Sequence, residues 1–122
     1  MNNTRIPRPE ILTGVTSKVD SPNGKIFITI NHDEEENIVE VILNCGKNGS
    51  DIMALANALG RMITFNLRLY SVMPSQARIE KIISELSGLG GTRSIEFGED
   101  IVKSLPDAVE KTLAKHYGLQ KK

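Results

Sequence analysis

The chain has 122 residues, the size of one ordinary domain, and its 39% apolar and 25% charged residues lie far from the low-hydrophobicity corner that marks disorder. Fifteen Lys and Arg balance fifteen Asp and Glu, so there is no net field to draw the protein onto nucleic-acid backbones or anionic lipid. Three Phe, two Tyr and no Trp leave little for single-strand stacking, and the single cysteine excludes an internal disulfide or a Cys-rich zinc cage.

Residues 1–10 carry Pro7 and Pro9 and are expected to form an extended arm that can dock across a sheet. A single α+β domain is expected over 11–118, with a basic tail at 119–122. Leu12 to Val19 is rich in β-branched residues and is followed by the turn Asp20-Ser21-Pro22-Asn23-Gly24, which predicts a strand and a tight reversal. Lys25 to Ile30 reads as a second strand, almost continuously apolar and therefore central and buried. The acidic loop around His32 to Asn37 separates it from a third strand, Ile38 to Leu43, and the short polar connections favour an antiparallel meander.

Ser50-Asp51 offers a helix N-cap, and Ile52, Leu55, Ala56, Leu59, Met62 and Ile63 recur at helical spacing, giving the longest helix, ended by Met73-Pro74. Gly60 inside it costs about 1 kcal/mol relative to Ala, which implies that a backbone or ligand approaches closely there. A second helix starts at Ser75, with Ile79, Ile82, Ile83 and Leu86 on one face, and Ser87 to Gly91 stops it. Ser104-Leu105-Pro106-Asp107 opens a last helix through Val109, Leu113 and Tyr117, which Gly118 is expected to close. No window of about 18 apolar residues predicts a membrane span, and the polar start is unlike a signal peptide. The expectation is a cytoplasmic protein, in the host cytoplasm if viral, with no membrane partner and no DNA or RNA duplex partner.

Chemistry-bearing residues are few. His32 and His116 form no H-x-x-x-H pair; His116 near a helix end fits a dipole-stabilising role, and His32 lies in a solvated acidic turn without calcium-loop spacing. Cys45 at a strand end reads as a small buried hydrophobe. No catalytic residue, metal ligand or cofactor is therefore assigned, and the chain is expected not to be an enzyme.

Two loops are candidate anion cradles. Lys47, Gly49 and Ser50 lie between a strand and a helix N-terminus, where free N–H groups attract phosphate, although a plain capped turn explains them as well. Gly90, Gly91, Thr92, Arg93 and Ser94 combine glycines with a guanidinium and hydroxyls, and read equally as a phosphate seat or a helix terminator. On the long helix, Arg61 and Asn66 are assigned to a pocket or a subunit interface, against the plainer reading of a solvated face, which is kept for Arg68.

Ordered phrases along the chain then carry a resemblance. Arg8-Pro9-Glu10-Ile11-Leu12-Thr13-Gly14, Ser21-Pro22-Asn23-Gly24-Lys25, Gly46-Lys47-Asn48-Gly49-Ser50, Ala58-Leu59-Gly60-Arg61, Leu89-Gly90-Gly91 and Ser104-Leu105-Pro106-Asp107 resemble the TSCPD domain, which is similar to the C-terminal module of adenosylcobalamin-dependent ribonucleotide reductases. Cysteines common in the family are replaced here by Asn23 and Leu105, so a thiol-based metal or redox role does not carry over. As a small stand-alone chain it also resembles viral ligand traps of the Thoeris anti-defence type. That likeness implies a sponge for a phosphate-containing nucleotide signal, a cyclic ADP-ribose isomer or a cyclic oligonucleotide. Two consecutive amphipathic helices on so small a sheet leave apolar surface to cover, which predicts a homodimer or higher oligomer with pockets near the subunit boundary. The likeness to the reductase module implies the alternative, a stand-alone accessory module of an adenosylcobalamin-dependent ribonucleotide reductase in deoxynucleotide synthesis.

Overall fold

The computed structural model describes residues 5–21, 24–46, 49–89 and 104–121. Three strands, β1 (Thr13–Ser21), β2 (Gly24–His32) and β3 (Ile38–Cys45), precede three helices, α1 (Asp51–Leu67), α2 (Ser75–Leu86) and α3 (Leu105–Lys121). The strands form an antiparallel meander in the order β1-β2-β3, so the domain is α+β with its helices following the sheet.

The period of two decides which way the sheet faces. Ile26, Ile28 and Ile30 of β2 point inward and are essentially inaccessible, whereas Phe27 between them is 42% exposed. The central strand is thus buried on one face only, and its apolar run overstates its burial. Val41, Leu43 and Cys45 continue the inner face on β3, opposite Ile30, Ile28 and Ile26. A register shift between Asn31 and His32 then places Ile38 opposite His32, so that Ile38 is buried where an unbroken alternation would turn it outward. Ala56, Ile63 and Leu67 of α1, Ile79 of α2, and Val109, Leu113 and Tyr117 of α3 close the core over that face.

The outer edge of β3 is covered rather than left open. The Thr64 hydroxyl accepts from Val41 N–H at 3.0 Å and donates to Val41 C=O at 3.1 Å, so one side chain replaces a neighbouring strand at that residue. One turn earlier stands Gly60. A Cβ there would lie 3.1 Å from Val41 O and 3.3 Å from Leu43 N, which confirms the expected close approach and names its cause as the β3 backbone.

Two helix ends differ from expectation. The long helix stops at Leu67 rather than at Met73-Pro74, because the N-terminal arm takes over its terminus. Ile6 N–H donates to Arg68 C=O at 2.6 Å, Arg68 Nε donates to Ile6 C=O, and Arg5 bridges Leu69. Arg78 of α2 donates to the carbonyls of Asn66 and Leu69, tying α2 to the same terminus. At the other end of the chain, Gly118 does not close α3, which runs on to Lys121 through the stretch expected as a tail.

Candidate binding groove between α1 and β3

The arm, the β3 edge and one face of α1 enclose a groove of about 670 Å³, within the usual range for small-molecule sites. Arg5 from the arm, Arg61 from α1 and Arg68 at its C-cap line it, with Asn57, Met62 and Phe65 beside them. Gly60 and Thr64, which bring α1 against β3, form its floor. The Arg5 guanidinium lies 5.3 Å from the centroid of the Phe65 ring, a cation–π distance.

Among the described residues lining the groove, guanidiniums outnumber carboxylates. Glu40 is its one carboxylate among the described residues, and Arg8 grips it through Nε at 2.8 Å and Nη2 at 3.1 Å while Asn31 donates at 2.7 Å. The Arg8 bond first, then Asn31 and the surrounding charges, hold the Glu40 carboxyl below its ordinary range against the opposing effect of burial. Arg68 is pulled below an ordinary guanidinium by burial and then by the charges of Arg5 and Arg8, with Glu40 working the other way. These cations stand close enough to disfavour one another, and an anion placed among them relieves that repulsion.

The residues assigned from sequence separate. Ser50 is the α1 N-cap and its Oγ accepts from Met53 N–H at 3.2 Å. Gly49 has φ +81°, suited to the turn before the cap, and the exposed Asp51 carboxylate occupies the first helical turn, where an incoming anion would meet it. The plain-cap reading therefore accounts for what is seen of this loop; Lys47 lies outside the described residues. Arg61 lies eleven residues further on, about 16 Å along the helix axis, and lines the groove. Asn66 faces a different concavity, of about 500 Å³ between α1 and α2 with Arg78, Lys81 and Glu85. Gly90, Gly91, Thr92, Arg93 and Ser94 all lie outside the described residues.

Sequence reasoning missed Arg5 and Phe65 and read Arg68 as part of a solvated face; they join Arg61 because the arm folds back on the end of α1. It also kept apart two histidines that meet. His32 on β2 and His116 on α3 approach with Nε2 atoms 2.6 Å apart and ring centroids 4.6 Å apart, across 84 residues of sequence. One ring nitrogen donates to the other, and burial, then the His32 charge, pushes His116 below its ordinary value while Glu36 opposes. No group of three or more His, Cys, Asp or Glu that could hold a metal occurs among the described residues. Cys45 is buried, and burial pushes its thiol up, away from the reactive thiolate.

At the start of α3, Ser104 Oγ accepts from Asp107 N–H and donates to Leu89 C=O, while the fully buried Asp107 carboxylate receives Lys111 Nζ at 2.9 and 3.0 Å. Leu105 packs in the core at 4% exposure, so its side chain serves burial and no thiol chemistry. These phrases sit in their expected places, and the TSCPD domain model matches residues 2–117. The chain belongs to the TSCPD domain family. No curated protein and no solved structure matches it. No helix of this TSCPD chain is long and apolar enough to cross a membrane among the described residues.

Proposed function

We propose that this TSCPD protein is a non-catalytic binder that sequesters a phosphate-containing, nucleotide-derived small molecule in the groove between α1 and β3. The observation that carries the reading is the set of three guanidiniums, Arg5, Arg61 and Arg68, around one concavity whose carboxylate is already engaged by Arg8. Guanidiniums bond phosphate oxygens in pairs, each charge-assisted bond contributing about 1.5 to 3 kcal/mol before ordering costs. The Phe65 ring, 43% exposed, offers an apolar face to a base or sugar.

Capture without turnover fits the groups at hand. The hydroxyl in the groove floor, on Thr64, already donates to and accepts from Val41, and among the described residues lining the groove the one carboxylate, Glu40, is held by Arg8. Cyclic ADP-ribose isomers and cyclic oligonucleotides are the ligand class this reading favours, and their removal would silence a host antiviral signal. A second reading, an accessory module of an adenosylcobalamin-dependent ribonucleotide reductase, is favoured by the family membership itself. It predicts co-purification with a reductase large subunit and no retained nucleotide.

Native mass spectrometry and calorimetry against a panel of such nucleotides test the proposal, with the ligand recovered unchanged after heat release. Arg61→Ala is expected to weaken binding by about tenfold or more, since one charge-assisted bond exceeds the 1.4 kcal/mol that a factor of ten represents. Arg93→Ala in the same series reports whether the Gly90–Ser94 stretch contributes. Absence of binding across the panel, or hydrolysed products alone, would overturn the reading.

A further inference from the structure

The two edges of the sheet are treated differently, and the difference points to a second copy of the chain. On β3, Thr64 and the close approach of Gly60 cover the outward backbone groups. Among the described residues no strand pairs with the outer edge of β1, a nine-residue strand without proline whose register against β2 runs unbroken from Thr13 to Ser21. Lys18 is its one basic guard against edge pairing.

The direction of each backbone group follows from Thr64. Because Val41 gives its N–H and C=O to that hydroxyl, its partner Ile30 turns its own groups away from β3 and toward Val15. Odd-numbered positions of β1 therefore bond β2, and Gly14, Thr16, Lys18 and Asp20 aim their amides and carbonyls outward. On the core-facing side, Val15 is 49% exposed and Val19 is only partly covered, so the inner face runs out of cover at this edge.

We infer that β1 pairs antiparallel with β1 of a second copy, about a two-fold axis through Ser17, joining two three-stranded sheets into one of six strands. In that register Val15 faces the partner copy's Val19 on the core side, extending the apolar layer across the axis. Thr16 faces Lys18 and Gly14 faces Asp20, so no like charges stand directly opposite; the two Lys18 stand diagonally, about 7–8 Å apart. Full overlap of the nine residues gives about eight main-chain hydrogen bonds. The arrangement leaves both α1–β3 grooves at the far ends of the joint sheet, away from the subunit boundary, so the dimer and the ligand site stand or fall separately.

Sedimentation of the full chain is expected to give twice its 13.4 kDa mass. Lys18→Pro removes an outward N–H while leaving the β2 ladder intact, and is expected to weaken dimerisation by about a hundredfold, tenfold for each of the two amides lost. Ser17→Cys gives an independent readout. Directly opposed residues of this kind bring their Cα atoms to about 4.5 Å, close enough for a disulfide, so this variant is expected to cross-link under mild oxidation and Ser21→Cys is not. Buried Cys45 does not compete. A monomeric wild type overturns the inference. So does a dimer that survives Lys18→Pro without a Ser17→Cys cross-link, or a monomer whose amides at 14, 16, 18 and 20 resist hydrogen exchange because another part of the chain covers them.

Discussion

Thr64→Val isolates the device that seals the β3 edge, because it keeps the shape and β-branching of the side chain and deletes only the hydroxyl. Wild-type Thr64 is 9% exposed and bonds both backbone groups of the buried Val41. The variant leaves the N–H and C=O of Val41 without their protein partner at the floor of the groove, where a valine methyl replaces the hydroxyl that bonded both and the approach of Gly60 to Val41 O restricts what can take its place. Each stranded group costs about 1 to 3 kcal/mol, and partial relaxation places the total at about 2 to 4 kcal/mol. For a domain of this size 1 kcal/mol moves the melting temperature by roughly 3 to 6 °C, so a fall of about 6 to 24 °C is expected. Urea and thermal unfolding followed by circular dichroism read it out. Thr64→Ser, which keeps the hydroxyl and loses a methyl, should be the milder variant, at about 1 kcal/mol. Valine costing less than serine, or less than about 0.5 kcal/mol, would refute the claim that this hydroxyl stands in for a strand.

Gly60→Leu should push α1 off β3 and cost about 3 kcal/mol or more by chemical denaturation, since its Cβ would already press on Val41 O at 3.1 Å; a neutral outcome would mean that the contact is soft. Ser50→Ala removes the α1 cap and should cost about 1 kcal/mol, while leaving ligand affinity unchanged if the groove rather than the helix N-terminus is the binding site. The His116 ring is held below its ordinary pKa, so the unfolded chain binds its proton first. The corresponding stability is present in full above about pH 6.5 and is lost as pH falls through the depressed folded value. Unfolding midpoints from pH 8 to 5 should fall on the acid side, and His116→Gln should flatten that slope; an identical slope in the variant would assign it to other groups.

The elements that could be read from sequence are those whose signal is local. Period-two patterning gave the strands, Ser50 and Ser104 mark helix starts through their own caps, and Ile79, Ile82, Ile83 and Leu86 repeat on one face of α2. What failed depends on partners distant in the chain. The end of α1 at Leu67 is set by Ile6, about sixty residues earlier, and by Arg78, neither of which leaves a mark in the local pattern. The groove suffered in the same way. Its arginines come from the arm and from successive turns of α1, so no short motif contains them, whereas the glycine loops attracted attention because their signal is compact. Gly60 is the instructive middle case, since a helix-weakening glycine announces a close neighbour without naming it. The neighbour is the β3 backbone, and the helix thereby brought against the strand carries Arg61 and Phe65 one and five residues later. A residue chosen for packing thus fixes where the charged wall of the groove stands, which is why a substitution at Gly60 should disturb stability and anion binding together while one at Ser50 should disturb stability alone.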